Sequence, residues 1–137
     1  MQKLYSHILL VEDDADDKEL FLKALNEIDN HIACSYAANG EDALSMLNAR
    51  YESLPQCIFM DYNMPKINGL ECLKQIKADT MLQQIPVVML STSSCIETQK
   101  AAKASHASAY ITKPNNYKKL VHILSFYLVE NNIKMLS

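Results

Sequence analysis

Short apolar runs separated by helical patterns are the feature that most constrains the fold of this chain. Five such runs recur along the sequence, and three of them are continuously apolar. Strands of a parallel sheet that are covered on both faces have this appearance. The five predicted strands lie at 7–11 (HILLV), 32–37 (IACSYA), 57–60 (CIFM), 87–90 (VVML) and 110–112 (YIT).

The segments between the runs have the apolar spacing of amphipathic helices. An alanine-rich stretch at 95–105 is a weaker helical pattern. The order is therefore strand then helix, five times over, which favours a doubly wound α/β fold with right-handed crossovers and helices on both faces. The predicted apolar faces are Leu20, Phe21, Ala24, Leu25 and Ile28; Ala43, Leu44 and Leu47; Leu70, Leu73 and Ile76; and Leu120, Val121, Leu124 and Leu128.

Length and composition exclude several classes of protein. A chain of 137 residues predicts one domain, residues 1–137 with a core at about 7–128, and no second or output domain. Its net charge of −3 and lack of a basic stretch argue against direct nucleic-acid binding. No apolar run reaches the length of a membrane span or a signal peptide, so a soluble cytoplasmic protein is expected. The four cysteines are not clustered and are expected to be small buried residues.

Polar residues stand where the predicted strands end. Glu12 and Asp13 follow the first strand, Asp61 follows the third, Ser91 follows the fourth and Lys113 follows the fifth. Ligands of open α/β sheets lie at the carboxyl ends of the strands, so these side chains are expected to converge. Asp14, Asp16 and Asp17 come slightly later and are interpreted as charges at the start of the first helix.

Converging carboxylates repel one another unless a cation offsets their charge. Mg²⁺ takes such oxygen ligands, and Lys113 adds a fixed positive charge, so the set predicts a site for a phosphoryl group. Asp61 could itself be the acceptor, because carboxylates form acyl phosphates. The second strand ends in Ala37 and Ala38 and is expected to contribute no polar group.

Four motifs occur in order and with strand-by-strand spacing: ILLVEDD, DYNMPKINGL, PVVMLSTS and YITKP. The motifs run from residue 8 to residue 114. In this combination the chain resembles, over about residues 7 to 128, the receiver domains of two-component response regulators, of the single-domain, chemotaxis-regulator-like type. The resemblance implies a flavodoxin-like (βα)5 fold with the strand order 2-1-3-4-5.

The resemblance also implies roles for individual residues. Asp61 matches the phospho-acceptor. Glu12 and Asp13 match the acidic pair that holds Mg²⁺, completed by Asp61 and the backbone carbonyl of Asn63. Ser91 and Lys113 match the residues that bind the phosphoryl oxygens.

Four further expectations come from the same likeness. Ser91 and Tyr110 would act together as a switch, while Asn63 and Ser93 would flank the hydrolytic water and tune the lifetime of the acyl phosphate. The bond before Pro114 would be cis. The chain has His106 where the family commonly has a glycine turn, which predicts a left-handed backbone there.

The function implied is that of a response regulator that takes a phosphoryl group from a histidine kinase. It would then change the face formed by the fourth helix, fifth strand and fifth helix, and catalyse only its own phosphorylation and dephosphorylation. A downstream protein or phosphotransfer protein is a further expected partner. Phe126, Tyr127 and Val129 suggest either core packing or a homodimer surface.

Three alternatives remain open. A phosphatase with an aspartyl nucleophile would require a general acid where this chain has Asn63. A binder of flavin mononucleotide would require a glycine- and hydroxyl-rich loop after the first strand, where this chain has acids. A pseudo-receiver would keep the fold and act by contact alone.

Overall fold

The predicted alternation of strands and helices is confirmed in the structure, a computed structural model that describes residues 3–49, 53–130 and 132–133. The elements are β1 (His7–Val11), α1 (Ala15–Ile28), β2 (Ala33–Ala37), α2 (Gly40–Ala49), β3 (Cys57–Asp61), α3 (Gly69–Ala78), β4 (Val87–Ser91), α4 (Ile96–Ala104), β5 (Ala109–Thr112) and α5 (Tyr117–Tyr127).

The strands form one parallel sheet in the order β2-β1-β3-β4-β5, as expected. Alternate residues of each central strand enter different cores, because side chains alternate between the two faces of a sheet. Leu9 and Ile58 belong to the core on one face, and Leu10 and Phe59 to the core on the other. This two-sided burial explains the continuously apolar runs.

The helical faces agree with the sequence except at one position in α1. Phe21, Ala24 and Leu25 are buried, whereas Leu20 is 45% exposed, so its assignment to the apolar face was wrong. At about 100° per residue, Leu20 lies at the margin of the stripe centred near Phe21 and Ala24.

Two backbone predictions have opposite outcomes. His106 has a φ of 73°, which confirms the left-handed conformation, and Lys66 shares it with a φ of 64°. The cis bond before Pro114 was wrong, because no peptide bond in the described residues is cis. Instead, the Lys113 N–H donates to the Ser91 carbonyl at 2.6 Å, which continues the pairing of β4 with β5 up to this turn.

Buried residues continue past both ends of the predicted core. The Tyr5 N–H donates to the Leu128 carbonyl at 2.9 Å, and Leu4 pairs with Val129 in an antiparallel bridge. Val129 is buried, which favours core packing for this residue, whereas Phe126 is 45% exposed. A homodimer surface at Phe126 therefore stays a prediction.

The exposure of the cysteines differs from the prediction at one position. Cys57 and Cys72 are buried and Cys34 is partly buried, but Cys95 is exposed before α4, so its assignment to the interior was wrong. In the described part of the chain, no helix has the length and apolar character needed to cross a membrane.

Candidate functional site

The backbone carries the predicted site residues to one edge of the sheet. The Glu12 N–H donates to the Ala37 carbonyl at 3.1 Å, which extends the pairing of β1 with β2 beyond Val11. The Tyr62 N–H donates to the Leu90 carbonyl at 2.7 Å directly after Asp61. These bonds fix the backbone at the ends of β1 and β3, so Glu12 and Asp61 start from neighbouring positions at one edge of the sheet.

Three carboxylates meet at this edge. Glu12, Asp13 and Asp61 each place an oxygen within 4.8 Å of the other two. Glu12 and Asp61 are buried, whereas Asp13 is exposed. Three oxygen donors that converge at this distance fit a hard divalent cation such as Mg²⁺, whose remaining positions are usually filled by water and phosphate oxygens.

Lys113 is the cation that the structure places among these acids. Its Nζ lies 2.8 Å from a Glu12 oxygen, 2.9 Å from an Asp17 oxygen and 3.4 Å from an Asp61 oxygen. Asp17 was interpreted only as a charge at the start of α1, and this was incomplete, because the first turn of α1 aims its carboxylate at Lys113. Asp14 does cap α1, accepting from the N–H groups of residues 16 and 17.

Protonation equilibria reflect the crowding of charge. Burial, followed by the neighbouring Asp61, raises the pKa of Glu12 from 4.5 to about 7 although Lys113 opposes the shift. Burial also raises the pKa of Asp61, while Lys113 acts to lower it. Burial alone would lower the pKa of Lys113, but its bonds to Glu12 and Asp17 outweigh burial and raise it.

Gly69 allows α3 to begin against the site. A Cβ on this residue would lie 2.3 Å from the Asp61 carbonyl oxygen and 2.8 Å from the Tyr62 Cα. The Gly69 N–H donates to the Tyr62 carbonyl at 2.9 Å, and Asn68 caps the helix through the Glu71 N–H. Only a residue without a side chain can therefore approach β3 so closely.

The hydroxyl and amide groups near Asp61 form local contacts. Ser91 is fully buried, and its Oγ accepts from the Ser93 N–H at 3.1 Å. The Ser93 Oγ accepts from the Cys95 N–H at 3.1 Å, ahead of α4. The Asn63 N–H donates to Asp61 Oδ1 at 3.3 Å, so Asn63 stands beside the carboxylate as expected.

Tyr110 links β5 to the loop after β4. Its hydroxyl donates to the Ser93 carbonyl at 2.6 Å, two residues beyond Ser91. The two predicted switch residues are thus joined through Ser93, because the N–H of Ser93 bonds Ser91 and its carbonyl bonds Tyr110.

Tyr36 is a site neighbour that the sequence interpretation missed. Its hydroxyl donates to the backbone carbonyl of Glu12 at 2.7 Å. The expectation that the second strand contributes no polar group was therefore wrong, because Tyr36 lies one residue before the end of β2 and is long enough to cross to β1. A hydroxyl-bearing aromatic residue at a strand end was the available signal.

Comparison with known proteins agrees with this geometry. The family model for the response regulator receiver domain matches residues 8–125. The chain belongs to the response regulator receiver family. Receivers are signalling proteins of two-component systems that interact with histidine kinases and downstream effectors.

Individual relatives cover most of this receiver. Response regulator Rcp1 of Synechocystis is 34% identical over 129 residues, which is 88% of each protein. The structure of the phosphorylated cyanobacterial phytochrome response regulator RcpA is 34% identical, with a TM-score of 0.81 over 88% of this chain and 89% of that one. The Mn²⁺-bound form of Rcp1 has a TM-score of 0.77 at 32% identity, over 90% and 94% of the two chains.

Proposed function

We propose that this receiver accepts a phosphoryl group on Asp61 from a phosphohistidine of a histidine kinase, with Mg²⁺ as the cofactor. The single observation that carries the proposal is the position of Lys113, whose ammonium group lies 3.4 Å from Asp61 and is held there by Glu12 and Asp17. A fixed cation beside a buried carboxylate is what a transferred phosphoryl group requires.

The positions of the side chains support the following chemistry. An Asp61 carboxylate oxygen attacks phosphorus in line, and the P–N bond of the phosphohistidine breaks with its electron pair staying on the imidazole. Lys113 donates to one phosphoryl oxygen and Ser91 to another. Water later attacks the acyl phosphate and releases inorganic phosphate, with Asn63 and Ser93 flanking its approach and tuning the lifetime.

Glu12, Asp13, Asp61 and the backbone carbonyl of Asn63 would hold the Mg²⁺. The donor set fits this ion, since three carboxylate oxygens within 4.8 Å provide hard ligands and a local negative charge. When bound, the ion neutralises the carboxylates and the incoming phosphoryl oxygens. The Mn²⁺-bound form of Rcp1 is a relative with a divalent ion, which supports the same kind of ligand here.

The switch runs through Ser91, Ser93 and Tyr110. Donation from Ser91 to a phosphoryl oxygen turns its hydroxyl away from the Ser93 N–H, from which it now accepts at 3.1 Å. The loop after β4 then shifts. The Tyr110 hydroxyl leaves the Ser93 carbonyl, to which it donates in this structure, and Tyr110 turns inward. The face formed by α4, β5 and α5 changes, and a downstream protein reads the change.

The test uses intact mass. The protein is incubated with Mg²⁺ and acetyl phosphate, and a gain of one phosphoryl group is expected. Asp61→Asn and chelation of the metal should each abolish the gain. Wild-type protein that gains no mass, or Asp61→Asn that gains it equally, would refute the proposal.

A turnover assay with a phosphate ester separates the receiver from a phosphatase. A phosphatase would turn over a phosphate ester repeatedly, but Asn63 stands two residues after Asp61 and cannot serve as a general acid. We expect slow release of phosphate from Asp61 and no turnover of p-nitrophenyl phosphate. Sustained turnover that depends on Asp61 would favour the phosphatase.

A further inference from the structure

The backbone of Glu12 is held on both sides by β2. The Glu12 N–H donates to the Ala37 carbonyl at 3.1 Å, as an extension of the sheet. The Glu12 carbonyl accepts from the Tyr36 hydroxyl at 2.7 Å, which is not a bond of the sheet. The second bond is therefore a side-chain contribution that a different residue at position 36 would remove.

This second bond acts on the peptide group between Glu12 and Asp13. The carbonyl of that peptide belongs to Glu12 and its N–H to Asp13, so fixing the carbonyl fixes the plane from which both acidic side chains project. The chain turns away from the sheet at this point, because β1 ends at Val11 and α1 begins at Ala15. Backbone pairing alone does not set the direction of Asp13.

We propose that Tyr36 is a positioning residue for the divalent-cation site: its hydroxyl fixes the Glu12–Asp13 peptide so that both carboxylates face Asp61. The inference rests on the proposed function. Without this bond, repulsion among the three carboxylates would turn the peptide and spread the ligands, and the site would lose affinity for the ion.

The ring of Tyr36 has its own contacts, which makes the hydroxyl separable from it. Lys18 Nζ lies 3.8 Å from the ring centroid, and the ring packs at the edge of the core beneath α1. Tyr36→Phe keeps the ring, the cation–π contact and the packing, and deletes only the donor to Glu12.

Tyr117 offers a matched control. Its hydroxyl donates to Glu27 at 2.6 Å, and Lys23 lies 4.9 Å from its ring centroid. Like Tyr36, it donates its hydroxyl and has a lysine over its ring, but the acceptor is the Glu27 side chain near the far end of α1 and none of the acids of the site. Tyr117→Phe should leave ion binding unchanged.

The experiment measures Mg²⁺ binding directly, by titrating metal-free wild type, Tyr36→Phe, Tyr117→Phe and Asp13→Asn while following backbone amide chemical shifts. We expect the dissociation constant of Tyr36→Phe to rise about fivefold, the factor that a hydrogen bond of ordinary strength represents. Asp13→Asn should weaken binding further. In phosphorylation by acetyl phosphate, Tyr36→Phe should need more Mg²⁺ for half-maximal rate but reach a near wild-type rate at saturation.

The outcomes separate this inference from the proposed function. Wild type that binds no Mg²⁺ would overturn both. Wild type that binds Mg²⁺ while Tyr36→Phe binds it equally well would overturn only the positioning role. An equal loss in Tyr117→Phe, or a loss of maximal rate with unchanged dependence on Mg²⁺, would also refute it, since either result indicates a general effect on the fold. In chelator, the melting temperature of Tyr36→Phe should lie within a few degrees of that of wild type.

Discussion

Replacing the proposed phospho-acceptor should make the metal-free protein more stable. The substitution Asp61→Asn removes a negative charge from this cluster. It abolishes the repulsion from Glu12 and Asp13, whose oxygens lie within 4.8 Å, and also the attraction to Lys113 Nζ at 3.4 Å. With an effective dielectric constant of about 20, each repulsion is worth at least roughly 3.5 kcal/mol and the attraction roughly 5. Two repulsions outweigh one attraction by about 2 kcal/mol, so the free energy of unfolding should rise by that amount.

The gain should depend on pH. The pKa of Glu12 is about 7 in the folded protein against 4.5 for a free side chain, so between these values the native state binds a proton that the unfolded state has lost. Stability of metal-free wild type therefore falls as pH rises from about 4.5 to about 7. At pH 5 Glu12 is protonated and repels Asp61 less. The difference in free energy of unfolding between Asp61→Asn and wild type should therefore be smaller at pH 5 than at pH 8.

Urea unfolding followed by circular dichroism measures both effects, in chelator and in excess Mg²⁺. In chelator at pH 8 the midpoint of Asp61→Asn should exceed that of wild type with an unchanged m-value. Mg²⁺ should raise the free energy of unfolding of wild type and so reduce the difference between wild type and Asp61→Asn. The exposed Glu19, in the second turn of α1, provides the control Glu19→Gln, which should change the free energy of unfolding little. Asp61→Asn no more stable than wild type at pH 8 would refute the reasoning.

Two further substitutions test the backbone around the site. Gly69→Ala should lower the free energy of unfolding by about 3 kcal/mol, because its Cβ would lie 2.3 Å from the Asp61 carbonyl oxygen, and urea unfolding that shows a loss below about 1 kcal/mol would contradict this contact. His106→Gly should raise the melting temperature by a few degrees, since His106 has a φ of 73° and glycine adopts this conformation without strain, whereas a lower melting temperature in calorimetry would contradict it.

The fold was predictable because its main cause is local in the sequence. The central strands are buried on both faces, and burial of consecutive residues leaves short continuous apolar runs, whose length and regular alternation with helical patterns indicate strands. The acids at 12, 13 and 61 could be placed together for the same reason, since parallel strands bring their carboxyl ends to one edge. The left-handed backbone of His106 was predictable only through the family resemblance, because His106 stands where that family commonly has a glycine.

The rest depends on distances across the fold that no spacing encodes. Asp17 lies in the first helical turn, where an acid already has a sufficient local explanation, and only the position of β5 relative to α1 makes it a partner of Lys113. The contact of Tyr36 with Glu12 could be predicted only from the register of the sheet, in which Tyr36 of β2 pairs with Leu10 of β1. Leu20 was wrongly assigned to the buried face because it is apolar. Around the axis of α1 it lies nearly a quarter turn from the centre of the buried stripe.

Rigidity gives the acidic edge its chemical character. Exposed carboxylates on mobile loops would relieve their repulsion by moving apart, and would then bind cations weakly. Here Glu12 and Asp61 are buried at the ends of paired strands, Gly69 brings α3 against the Asp61 carbonyl, and Tyr36 holds the Glu12 carbonyl. Lys113 offsets part of the repulsion between these carboxylates, and a proton or a divalent cation would offset more of it. The repulsion that destabilises the metal-free fold therefore also increases its affinity for a divalent ion. In any variant that lets the acids separate, the destabilisation of the metal-free fold and the affinity for the ion should both decrease.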